Sequence, residues 1–144
     1  MENIDNSVKG SLNWILRLEG LIVFVTSLYL YNQFESGSWK IFFLLFLLPD
    51  IGLIGYFAGS KIGAITYNCT HSYLAPLSLF LISPFLLSLN LDYLCLIWLA
   101  HIGFDRALGF GLKYTDGFKY THLGLVGKLE NMKKITRNND DPKC

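Results

Sequence analysis

Four stretches of this chain, at about 14–31, 39–59, 62–84 and 92–113, are apolar enough to lie in a bilayer, and they constrain the fold before anything else does. A spanning helix needs roughly 20 mostly apolar residues to cross a ~30 Å hydrocarbon core. The core offers an unpaired backbone group no partner, so such stretches become helices. The expected fold is therefore all-α, an integral membrane four-helix bundle over 14–114. Segments 1–13 and 115–144 flank it. Composition agrees: 52% of the 144 residues are hydrophobic, only 16% are charged, and the mean hydropathy is +0.39. Most charges fall in the first dozen and the last thirty residues, which leaves the middle more apolar than the average.

Lys9 and Arg17 precede the apolar run at the core of the first stretch, as in a signal peptide. Glu19 interrupts its apolar run, however, and aromatic residues end it, so a spanning helix is the better reading. Pro49 lies inside the second stretch and predicts a kink beside Asp50, with a freed carbonyl next to the acid. The third stretch is too long for one straight crossing, and Pro76 and Pro84 are placed to bend it. A short polar loop near Asn90 and Asp92 makes the third and fourth stretches an antiparallel hairpin. Cys69, Cys95 and Cys144 show no paired spacing and read as free thiols.

Lysine and arginine set the orientation. Lys9, Arg17, Lys61, Lys113 and the basic residues from Lys119 to Arg137 share one side of a four-crossing topology, and Lys40 alone takes the other. Both termini are thus expected in the cytoplasm. The net charge of +1 gives no reason to expect a nucleic-acid partner. The stretch Lys128–Arg137, interrupted by Glu130, reads as a solvated flank. The lipid bilayer is the expected partner, and a bundle this small is a candidate homo-oligomer.

Ionisable residues inside a bilayer are costly and face the bundle interior, a water-filled cavity or each other. Here Glu19, Asp50, Asn68, His71, His101, Asp105 and Arg106 all fall between the expected midplane and the cytoplasmic surface. His101 and Asp105 are four apart and share a helix face, as Asn68 and His71 do at three. Four helices so bring polar side chains to one level.

Three readings follow. In the first, Asp50, His71, His101 and Asp105 bind a divalent metal, with His122 closing over from the C-terminal flank. Imidazole and carboxylate suit zinc, iron or manganese, and a metal-activated water would make a hydrolase, with Glu19 as general base and Arg106 as anion clamp. In the second, the residues form a structural network in which Asp105 holds the His101 ring, Arg106 pairs with Glu19 and Asn68 bridges. In the third, they form a proton or ion path. A haem held by His71 and His101 lacks any attachment motif. The sequon at Asn68-Cys69-Thr70 lies within an expected span and is not a glycosylation site.

The strings LRLEGL (from Leu16), LLPDIGLIGYFAG (from Leu47), YNCTHSYLAP (from Tyr67), AHIGFDRALGFGLKY (from Ala100) and THLG (from Thr121) occur in order. Together they resemble the small bacterial membrane proteins grouped as domain of unknown function 4260. The resemblance spans about 12–127 and implies a four-helix architecture in the bacterial cytoplasmic (inner) membrane, but no activity. Its motifs contain Arg17, Glu19, Asp50, Asn68, His71, His101, Asp105, Arg106 and His122. A looser similarity of style links the chain to membrane-bound metal-dependent hydrolases.

Overall fold

A computed structural model of the protein describes residues 11–33, 38–85, 91–115, 117–118 and 120–125. The N-terminal flank before Ser11, the loop at Asn90, the basic stretch Lys128–Arg137 and Cys144 lie outside them. The described chain is helical apart from one small ribbon: α1 Ser11–Asn32, α2 Trp39–Phe46, a 3-10 segment Leu48–Ala58, α3 Ser60–Thr70, α4 Leu74–Ile82 with a 3-10 turn at Ser83–Phe85, and α5 Asp92–Leu108. Two stretches, Ser11–Asn32 and Trp39–Ala58, are long and apolar enough to cross a membrane. The expected third span is not one helix, and α5 has 17 residues.

Prolines account for both interruptions. A proline lacks an N–H, and its ring collides with the carbonyl four residues back. For Pro76 that carbonyl belongs to Ser72, and the helix stops at Thr70 and restarts at Leu74, which puts Pro76 in the first turn of α4. The break therefore falls a turn before the proline, at His71–Tyr73. Pro49 acts the same way at Leu47, where α2 ends and the chain tightens into a 3-10 helix of 11 residues. Runs of that geometry longer than about four residues are uncommon.

With three residues per turn, Gly52 and Gly55 align on one edge of the 3-10 segment. That bare edge seats α3, which returns antiparallel after the turn at Gly59. A Cβ on Gly55 would collide with Thr66, whose hydroxyl donates to the Gly52 carbonyl at 2.7 Å.

α5 is the central helix: Cys95, Leu96, Ile97, Ala100, His101, Ile102 and Gly103 are all buried, and α1, α2, α4 and the 3-10 segment pack on it. α1 crosses it antiparallel at Gly20 and Gly103. A Cβ at Gly103 would stand 2.7 Å from the Phe24 nitrogen and 2.8 Å from the Gly20 carbonyl, so only a glycine there permits this approach. Arg17 donates to the Ala107 carbonyl at 2.9 Å, placing a cation at the negative end of α5. An apolar core of Tyr31, Phe42, Leu96, Ile97 and Ala100 fills the end of the bundle remote from that contact. The outward faces stay apolar, with Phe57 93%, Phe85 82% and Leu44 75% exposed.

α5 ends in a Schellman motif. Gly109 adopts φ 93°, its N–H bonds the Arg106 carbonyl, and the Phe110 N–H bonds the Asp105 carbonyl at 2.8 Å. The chain then runs beside β1 (Tyr120–Thr121), with Tyr114 N–H donating to Tyr120 O at 2.9 Å and His122 N–H to Leu112 O at 3.1 Å. β1 pairs antiparallel with β2 (Gly124–Leu125). Side chains of α1 and α3 help tie this ribbon to the helices. Asn13 donates to the Leu123 carbonyl at 2.6 Å. The Asn68 amide accepts from Lys113 N–H at 2.7 Å and donates to Lys113 O at 2.9 Å.

Candidate metal centre

The two proline-induced breaks position the polar residues. Asp50 opens the 3-10 segment just after Pro49, and His71 caps the end of α3 where Pro76 stops it. His101 and Asp105 come from one face of α5. Trp98 locks α5 against α3 by donating its indole N–H to the Thr70 carbonyl at 2.7 Å, one residue from His71.

Four side chains converge as a result. His71 Nε2 lies 3.0 Å from His101 Nε2, 3.4 Å from Asp50 Oδ1 and 3.4 Å from Asp105 Oδ2. His101 Nε2 is 3.7 Å from Asp50 Oδ1 and 3.9 Å from Asp105 Oδ2. Asp50, His71 and His101 each present a ligand atom within 4.8 Å of the others, a group that could hold a metal ion. Both histidines are buried, and Asp50, 41% exposed, forms the open side.

The His71 ring is fixed from behind. Its Nδ1 donates to the Tyr67 carbonyl at 3.1 Å and lies 2.9 Å from the Thr70 hydroxyl. That bond places the proton on Nδ1 and turns the Nε2 lone pair toward the group, the arrangement metal-ligating histidines adopt. Tyr67 stacks on the same ring at 3.8 Å between centroids and donates its hydroxyl to Asp105 at 3.3 Å. Phe46 meets His101 edge-on at 5.2 Å and closes the group on its apolar side. His101 Nδ1, by contrast, is buried with no hydrogen-bond partner among the described residues.

The remaining expected site residues lie elsewhere. His122 does not join the group: its Nε2 accepts from Arg106 Nη1 at 2.7 Å. Burial, reinforced by the Arg106 charge, holds the His122 pKa below its usual range. Arg106 therefore pairs with His122 rather than with Glu19. Glu19 and Arg106 instead line one cleft of about 310 Å³ together with Tyr73 and His122. Asn68 does bridge, but to the Lys113 backbone, and Arg17 serves the end of α5.

Tyr67, Trp98 and Lys113 were not legible as site residues. Tyr67 carried a signal, since it precedes His71 by one helical turn. Lys113, expected as a flanking charge, is buried over the Phe118 and Tyr67 rings at 3.6 and 4.5 Å, a stacking that depends on the ribbon folding back.

Comparison with curated proteins and with solved structures gives no match. A family model does match, over residues 13–126, and its description is Domain of unknown function (DUF4260). By that match, which covers most of its length, the chain belongs to the DUF4260 family.

Proposed function

We propose that this protein spans the bacterial inner membrane several times with both termini in the cytoplasm. In this reading it holds a divalent metal at Asp50, His71, His101 and Asp105, and uses it to hydrolyse an amphipathic, lipid-like substrate. The supporting observation is the spacing of three ligand atoms, on Asp50, His71 and His101, which all lie within 4.8 Å of one another. A tetrahedral site with bonds of about 2.0–2.1 Å has ligand–ligand edges of about 3.3–3.4 Å. Among Asp50, His71 and His101 the separations are 3.0, 3.4 and 3.7 Å, close to that edge length, and Asp105 lies 3.4 and 3.9 Å from the two imidazoles, outside the compact group of three. Two nitrogens and two oxygens suit zinc, iron or manganese.

The apolar outer surface supports the membrane placement, since water-facing patches on soluble proteins rarely exceed a few hundred Å². A divalent ion supplies Lewis-acid activation of water and of the scissile group. The residues do the rest: Tyr67 holds the Asp105 carboxylate, the Tyr67 carbonyl orients His71, and Phe46 excludes water from behind. Arg106, next to Asp105 and on the wall of the cleft, is placed to hold an anionic part of the substrate.

One observation favours a second reading, a proton path. With its proton on Nε2, His101 would donate to His71 Nε2 at 3.0 Å, and its unpartnered Nδ1 would carry no hydrogen to satisfy. In a metal site that Nδ1 keeps an orphan N–H, which costs about 1–3 kcal/mol.

Elemental analysis of the protein purified in detergent without chelator separates the two, run beside the His71→Ala, His101→Ala double variant. Near-stoichiometric metal, lost in the variant while the helices persist, is expected. No metal in either after reloading overturns the metal reading and leaves the relay.

A further inference from the structure

The cleft beside the histidine–aspartate group carries charges that the fold does not use. Its polar wall is Glu19 from α1, Tyr73 from the α3–α4 turn, Arg106 from α5 and His122 from the ribbon; Leu16 and Val23 form the apolar wall. Among the described residues Arg106 has one hydrogen-bond partner, the neutral ring of His122, and no carboxylate within ion-pair distance. A guanidinium has five N–H donors, so most of its capacity is unspent. Glu19 shares the cleft and is likewise unpaired among the described residues, so the opposite charges do not close on each other. Both line the cleft, which so offers one side chain of each charge.

We infer that this cleft binds a zwitterionic phosphate–ammonium headgroup, its phosphate on Arg106 and Tyr73 and its ammonium on Glu19. An anion alone would leave Glu19 repelling it, and a cation alone would leave Arg106 uncompensated. Phosphate fits better than carboxylate because its oxygens diverge. A planar carboxylate is satisfied by one bidentate arginine, whereas here donors come from α5 and from the α3–α4 turn. The apolar wall continues onto the exposed face of α1 at Leu12, Ile15 and Ile22, so an acyl chain attached to the headgroup leaves the cleft along that helix. The volume of about 310 Å³ accommodates a headgroup and not a whole lipid. His122, on the same wall, accepts from Arg106 Nη1 at 2.7 Å and fixes one edge of the guanidinium.

As the substrate class of the neighbouring centre this inference rests on the hydrolysis proposed above; as a binding site it is measured without metal. Calorimetry on the full chain in detergent would compare free phosphoethanolamine, a short-chain diacyl phosphoethanolamine and the matching diacyl phosphoglycerol, which has the anion but no ammonium. The diacyl phosphoethanolamine is expected to bind at least about tenfold tighter than the phosphoglycerol, the effect of one charge-assisted hydrogen bond. Glu19→Gln, at an exposed position, is expected to erase that preference, and Arg106→Gln to weaken both lipids. Equal affinity for free headgroup and lipid identifies a soluble phosphate ester as the ligand; binding of the acylated form only identifies the membrane lipid. Both outcomes support the cleft. Equal affinity for the two lipids, or a preference unchanged in Glu19→Gln, overturns it. The His71→Ala, His101→Ala variant separates the two proposals. Unchanged lipid binding there leaves the cleft standing whatever the metal result, whereas lost binding in a folded variant moves the ligand onto the histidines and sinks the cleft.

Discussion

The Nε2 atoms of His71 and His101 face each other at 3.0 Å across two helices, with a carboxylate oxygen on either side. Neither ring reaches this position by local sequence. His71 is delivered by the end of α3 and His101 by the middle of α5. Removing either ring should therefore act on metal more than on fold. A metal bound at 100 times its dissociation constant stabilises the native state by about 2.7 kcal/mol. We expect chelator to lower the melting temperature of the wild-type protein by several degrees, a shift roughly matching that energy. The same chelator should leave His101→Ala unmoved. A thermal melt with and without chelator checks this, and equal chelator sensitivity in both proteins would count against the centre.

The contact between α1 and α5 leaves no room for a side chain. A Cβ at Gly103 would lie 2.7 Å from a backbone nitrogen, which cannot move without displacing α1. Gly103→Ala is expected to destabilise by about 1–3 kcal/mol, the usual cost of overpacking. Detergent-phase unfolding would show it, and an unchanged midpoint would mean the helices sit farther apart than described.

Asn68 pairs twice with the backbone of Lys113 and so anchors the ribbon to α3. Asn68→Ala leaves a backbone donor and acceptor at Lys113 unpaired, at about 1–3 kcal/mol if they stay dry. The expected result is faster hydrogen exchange at the Lys113, Tyr114 and His122 amides, with the interior of α5 unaffected. Uniform acceleration across α5 would instead make Asn68 a general stabiliser.

His122 supplies a pH dependence of known sign. Its folded pKa lies below the ordinary 6.5, because burial and Arg106 both disfavour its cation. The unfolded chain then binds more protons than the native one just below that value. The stability His122 contributes is complete above pH 6.5 and is lost progressively as pH falls toward its folded pKa. Melting temperatures between pH 7.5 and 5 should thus fall more for the wild type than for His122→Gln. The difference between the two curves isolates His122 from His71 and His101, and a difference independent of pH would refute the assignment.

Helical class was legible in the chain because it is a one-dimensional property. Apolar stretches of some twenty residues favour a helix, which pairs its own backbone groups. Pro49 and Pro76 likewise announced the bends, since a missing N–H acts locally. The 3-10 winding of Leu48–Ala58 was not legible, because the choice between bonding three or four residues back is decided by what the glycine edge packs against. Which polar residues meet was also a tertiary decision. Glu19 and Arg106 were expected at one level with the histidines, yet the antiparallel crossing at Gly20 and Gly103 turns them toward a separate cleft. His122 and Lys113 went where the ribbon carried them, through hydrogen bonds between segments far apart in sequence. The sequence by itself determined that polar and ionisable residues sit within largely apolar helical stretches. Only the packing of α5 against its neighbours decided which charges meet, because contact depends on helix rotation and crossing, and neither is written in a local pattern.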